Sequence, residues 1–215
     1  MSINAVPGAG ISLSLFSVAL VAVAGCSNLP PRIGAPAYSP GSIASAAMAE
    51  YDTNQDGSLD AAELDKSPSL KGSLALLDKN GDQKVSADEI AARVQAWKDG
   101  NLAVIPCNCV VTLDGAKLSD ATVTFVPEKF MGAGFKSATG KSTSEGIAAM
   151  SSDGLESNGV KLFGVYSGFY KVTISKADNN TETLPDRYNA QTTLGIEVGP
   201  DVPGLKSAVK FDLTK

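Results

Sequence analysis

The sequence predicts an α+β chain of more than one domain: a helical segment carrying two acidic loops, followed by a small antiparallel β-sandwich. Three observations carry that expectation. Two twelve-residue runs rich in Asp, Asn and Glu, Asp52–Glu63 and Asp78–Glu89, interrupt stretches with helical apolar spacing. After Gly100 the apolar period changes from helical to alternating. Gly and Pro then separate several short stretches rich in Val, Ile, Phe and Thr.

The first helical element is expected over Ser42–Tyr51, with Met48 and Tyr51 on one face just ahead of the first acidic run. That run reads D-T-N-Q-D-G-S-L-D-A-A-E and offers oxygens from Asp52, Asn54, Asp56, Ser58, Asp60 and Glu63, with Gly57 at a sharp bend. Hard oxygens on a tight curve suit Ca²⁺, which takes six to eight such ligands, and suit Zn²⁺ or Cu²⁺ poorly. Leu59 is placed to pair, strand-like, with a twin in a second loop, and Leu64 starts the helix that leaves the first one.

The second run, D-K-N-G-D-Q-K-V-S-A-D-E, repeats the pattern with Asp78, Asn80, Asp82, the Lys84 carbonyl, Ser86 and Glu89. Leu74 and Leu77 precede it, Val85 matches Leu59, and Ile90, Val94 and Trp97 stripe the following helix. Ser67-Pro68 reads as an N-cap with Pro at the first helical position. The bend here falls on Gln83, where a positive φ costs a non-Gly residue roughly 1 kcal/mol, so the second site is expected to bind more weakly. About fourteen residues separate Glu63 from Asp78, so the two helices between the loops must be short.

Together the loops resemble the EF-hand family over roughly residues 42–98, which implies a paired domain over 42–99 with two Ca²⁺ sites. A dockerin-like duplicated loop, which docks a partner module, is the rival resemblance. The helix-forming stretch before Asp52 argues against it, because dockerin repeats carry no full entering helix.

At the amino end, Ile11–Ala24 is an apolar run too short to span a bilayer and the right length for the core of a signal peptide. Its ending V-A-G-C, Val23–Cys26, resembles the lipobox of bacterial lipoproteins. That resemblance implies a signal peptide over 1–25, a lipid on Cys26, and anchoring to a bacterial cell-envelope membrane, the outer membrane or cell surface before the inner one. No Lys or Arg precedes the run, and the first cation is Arg32. Pro30, Pro31, Pro36 and Pro40 make residues 26–41 an extended tether.

Past Gly100, strands are expected at Val111–Leu113, Ala121–Val126, Phe169–Ile174, Ile196–Val198 and Ala208–Leu213, with a turn at Asp114-Gly115. The segments Val111–Pro127, Gly168–Ile174 and Leu184–Tyr188 resemble carboxypeptidase regulatory-like domains of transthyretin-like fold. The similarity covers residues 101–215, and the arrangement looks like that of lipoproteins of planctomycete-type bacteria. It departs at Val110, where the family often has Gly. Such domains are non-catalytic, which implies packing, adhesion or display.

Cys107 and Cys109 lie two apart and share a strand face; they read as a soft-metal pair, a strained disulfide or two small buried residues. Asn179-Asn180-Thr181 reads as a loop.

Composition closes off several function classes. The 215 residues contain no His, which removes Ser-His-Asp and Cys-His nucleophile systems and His-based zinc sites. Seven acids of the proposed metal loops account for the acidity: without them the formal charge of −5 becomes +2. No basic cluster suggests nucleic-acid binding. The sequence therefore points to a lipid-anchored, calcium-binding, non-catalytic envelope protein, or to a calcium-dependent docking module that recruits another envelope protein.

Overall fold

The structure, a computed structural model, describes Met1, Ser2, Asn4 and residues 33–215. The apolar run Ile11–Ala24 expected to form a signal peptide, Cys26, and the first part of the expected tether lie outside the described residues. All the elements below belong to one compact unit of the chain. The chain is α+β. No helix among the described residues is long and apolar enough to cross a membrane.

Helix α1 (Pro40–Tyr51) starts two residues before the expected Ser42, because Pro40 is tolerated in the first turn, where its missing N–H has no partner to lose. Ahead of it, Tyr38 stacks against Phe135 with ring centroids 5.5 Å apart, so the described end of the expected tether is packed. The first loop leads through β1 (Ser58–Leu59) into α2 (Ala61–Leu64), and α3 (Pro68–Gly72) and α4 (Leu74–Leu77) lead into the second. Then β2 (Val85–Ser86) pairs antiparallel with β1, matching Leu59 to Val85, and α5 (Ala87–Asp99) follows. Leu59, Leu77, Val85, Ile90 and Val94 are fully buried, as their helical and strand spacing requires.

The β half has two main sheets, accompanied by three two-stranded pairs. The larger contains β4 (Thr122–Pro127), β5 (Ala138–Lys141), β7 (Ser151–Ser152), β8 (Gly168–Ser175) and β9 (Leu194–Val198), ordered β9-β8-β4-β5-β7, and is antiparallel throughout. The smaller is built around β3 (Asn108–Leu113), which pairs with β6 (Ile147–Ala149), with Ala116–Lys117 and with the last strand, β10 (Val209–Leu213). Here the antiparallel expectation is corrected: β10 runs parallel to β3, Val209 beside Cys109 through Leu213 beside Leu113. The Asp114-Gly115 turn takes positive φ at both residues, 51° and 79°, as a tight two-residue hairpin needs. Asn179 and Asn180 do the same at 47° and 64°, so that loop is also a hairpin turn, joining Ala177–Asp178 to Thr181–Glu182.

Alternation along β8 explains the layering. Tyr170, Val172 and Ile174 face a core shared with Val111, Phe211 and Leu213 of the smaller sheet. Phe169 points the other way, into a second core with Trp97, Leu70 and Ile43 of the helices. The larger sheet is therefore covered on both faces, by helices on one and by the smaller sheet on the other. Three layers result.

Candidate metal centre

Each acidic run closes on itself through one repeated set of hydrogen bonds. In the first loop, Asp52 Oδ2 accepts the Gly57 N–H at 3.1 Å, Asn54 Oδ1 accepts Asp56 N–H at 2.9 Å, and Asp56 Oδ1 accepts Ser58 N–H at 3.0 Å. In the second, Asp78 Oδ2 accepts Gln83 N–H at 2.9 Å, Asn80 Oδ1 accepts Asp82 N–H at 2.9 Å, and Asp82 Oδ1 accepts Lys84 N–H at 2.9 Å. The first position differs between the loops: Asp52 keeps Oδ1 without a partner among the described residues, whereas Asp78 commits both oxygens, Oδ1 to the Gly81 N–H at 2.6 Å and Oδ2 to the Gln83 N–H.

The ninth and twelfth places double as helix caps. Asp60 accepts from Glu63 N–H at 3.1 Å while Glu63 Oε2 accepts from Asp60 N–H at 3.1 Å, a capping box that starts α2. Ser86 and Glu89 repeat it at the start of α5. The amides tying Glu63 down hold its carboxyl below the usual range, the Asp60 N–H most of all.

The loops bend through left-handed residues at their fourth and sixth places. These are Gln55 and Gly57 in the first, at φ 59° and 85°, and Gly81 and Gln83 in the second, at 79° and 64°. The strain expected of Gln83 alone is therefore matched by Gln55, and backbone conformation does not rank the two loops.

All twelve proposed ligands lie in these two loops, which β1–β2 pairing holds side by side. Among the described residues, no three His, Cys, Asp or Glu side chains are already gathered closely enough to hold an ion. Glu63 is turned into its own loop, where Oε1 accepts from Thr53 N–H at 2.7 Å, the Thr53 hydroxyl at 3.0 Å and Asn54 N–H at 3.2 Å. Bidentate ligation by Glu63 requires release of those donors. The donor set still fits a hard cation on one further observation. Asp52 Oδ1 is buried and has no hydrogen-bond partner among the described residues, a state that is expensive for a carboxylate unless a cation meets it.

Two other polar centres escaped sequence reading, and both tie the helices to the larger sheet. The buried Glu128 accepts from Ser69 Oγ at 2.8 Å, Ser67 Oγ at 3.2 Å and Tyr51 Oη at 3.0 Å, with Lys171 Nζ 3.5 Å away. Ser67, expected to cap α3, makes no capping bond, since its hydroxyl is committed to this carboxylate. The buried Glu197 accepts from Arg93 Nε at 2.6 Å and Trp97 Nε1 at 2.8 Å, and Arg93 also forks onto Asp201 with two contacts of 2.8 Å. Burial pushes the Glu197 carboxyl up, against the pull of Arg93. The one local signal was an acid inside the apolar strand word Ile196-Glu197-Val198.

Cys107 and Cys109 are buried free thiols in the core between the sheets. The neighbouring Cys107 and burial both push the Cys109 thiol far up, so it stays protonated and a poor nucleophile or ligand. An open groove of about 700 Å³, lined by Ile33, Tyr38, Trp97, Lys98, Leu102 and Val104 among others, has no acid or cysteine among the described residues of its wall.

No family model, curated protein or solved structure matches this chain.

Proposed function

We propose that this chain is a calcium-binding, non-catalytic protein of the cell envelope, anchored to a bacterial membrane through a lipid on Cys26. Asp52, Asn54, Asp56, Ser58, Asp60 and Glu63 would hold one Ca²⁺ in an EF-hand-type loop. Asp78, Asn80, Asp82, the Lys84 carbonyl, Ser86 and Glu89 would hold a second. The observation that carries the reading is the buried, unpartnered Asp52 Oδ1, set within a loop whose hydrogen-bond pattern recurs in its neighbour. The bound ion supplies positive charge to carboxylates that otherwise repel one another.

The first loop offers four carboxylates and the second three, so the second site is the weaker on charge count. Affinities of about 10⁻⁴ to 10⁻³ M, the range of extracellular modules, would make the metal structural. The twelve-residue α1 ahead of the first loop supports the EF-hand reading over a dockerin-like one. Two sheets sharing one core support a transthyretin-like display or adhesion domain beside the loops.

Calorimetric titration with Ca²⁺ tests the metal. We expect two binding events, with Asp52→Ala and Glu63→Gln each abolishing the tighter one; absence of heat from the unaltered protein would end the proposal. Envelope fractionation tests the anchor, since Cys26→Ala should move the protein from the membrane to the soluble fraction.

A further inference from the structure

We infer that the Lys84 ammonium is a resident competitor for calcium in the first loop, reaching from the second loop to hold the Asp56 oxygen that the metal needs. This deepens the calcium reading above and rests on it.

Asp56 has two carboxylate oxygens with different commitments. Oδ1 accepts both the Ser58 N–H and the Ser58 hydroxyl, each at 3.0 Å, and is used in shaping the loop. Oδ2 is left for a cation, and Lys84 Nζ sits 3.0 Å from it, with the Asn54 amide at a marginal 3.5 Å. The equivalent oxygen of the second loop, Asp82 Oδ2, accepts the neutral Asn80 amide at 2.9 Å and is in no ion pair among the described residues. The two loops therefore differ at this point.

The placement of Lys84 is fixed by its backbone. Its N–H donates to Asp82 Oδ1 at 2.9 Å, and the next residue, Val85, is in register with Leu59 across the β1–β2 pair. From that anchor the side chain crosses to the first loop.

A single charge with three N–H donors cannot replace a divalent ion with six to eight oxygen ligands, so calcium wins the site. It must first displace the ammonium. Because Lys84 and Asp56 are 41% and 39% exposed, the pair is solvent-screened and the handicap is small, about two- to five-fold in affinity. That handicap falls on the loop with four carboxylates and spares the one with three, which brings the two affinities together. Both sites then fill over one narrow calcium range.

The test is calorimetric titration of the full chain in a Glu89→Gln background, which leaves the first loop as the binding site. Lys84→Met and Lys84→Gln should each tighten that site about two- to five-fold at low salt, Lys84→Arg should not, and the gap should narrow as salt screens the pair. Binding left unchanged or weakened in both neutral variants overturns the competitor role while leaving the calcium reading intact. No binding in any variant, nor in the chain with Glu89 restored, removes the calcium reading and this inference with it.

Discussion

Gln55 and Gln83 each hold a backbone angle that favours glycine, φ 59° and 64°, one in each loop. Read along the chain, only Gln83 stood out, because it replaces the Gly expected at the bend. Gln55 sits two places earlier in its own loop, where nothing in the residue pattern flags a left-handed turn. The penalty is therefore shared, and Gln55→Gly and Gln83→Gly should each stabilise the protein by up to about 1 kcal/mol in thermal unfolding at saturating Ca²⁺. A gain confined to Gln83→Gly would contradict this equivalence. The loops themselves were legible: the acidic runs could be marked from local spacing alone, and each closes on itself through the same set of hydrogen bonds.

The contacts that dock the helices on the larger sheet were not legible, because their partners lie far apart in sequence. Ser69 and Glu128 are separated by 59 residues, and Trp97 and Glu197 by 100. Strands with alternating large residues, such as β4 and β8, could be read from pattern. Ala138–Lys141 and Ile147–Ala149 could not, being short and built largely of small residues. Gly195 marks the tightest approach: a Cβ there would lie 2.2 Å from both Pro68 C and Ser69 N, with no flexible side chain to yield. Gly195→Ala should push α3 off β9 and destabilise by about 1–3 kcal/mol in denaturant unfolding. Arg93→Met should do more, about 3–5 kcal/mol near neutral pH, because it strips a buried carboxylate of its charged partner. The pH dependence has a definite sign. With Glu197 raised above its ordinary 4.5, the folded state binds the proton more tightly than the unfolded chain does. The resulting stability is present below about pH 4.5 and is lost as pH climbs through the raised value. Arg93→Met should therefore recover part of its deficit on mild acidification, and a deficit independent of pH would point to lost packing alone.

The helices and sheets of residues 33–215 are expected to unfold together. The helical core is completed by Phe130, Met131, Phe135 and Phe169, which belong to the β half, and the two buried carboxylates cross the same boundary. Near-ultraviolet signals from Trp97 and far-ultraviolet signals from the backbone should lose amplitude in a single transition; two separated transitions would show that the halves fold alone. The parallel seam between β3 and β10 extends this to synthesis. Val209 and Cys109 are neighbours in register, yet a hundred residues are made between them, and the final strand supplies Phe211 and Leu213 to the core. The sandwich cannot close until its last residues have emerged. A chain proposed to act in the cell envelope would thus stay open while most of its sandwich is made, and close only once β10 is present to pair with β3.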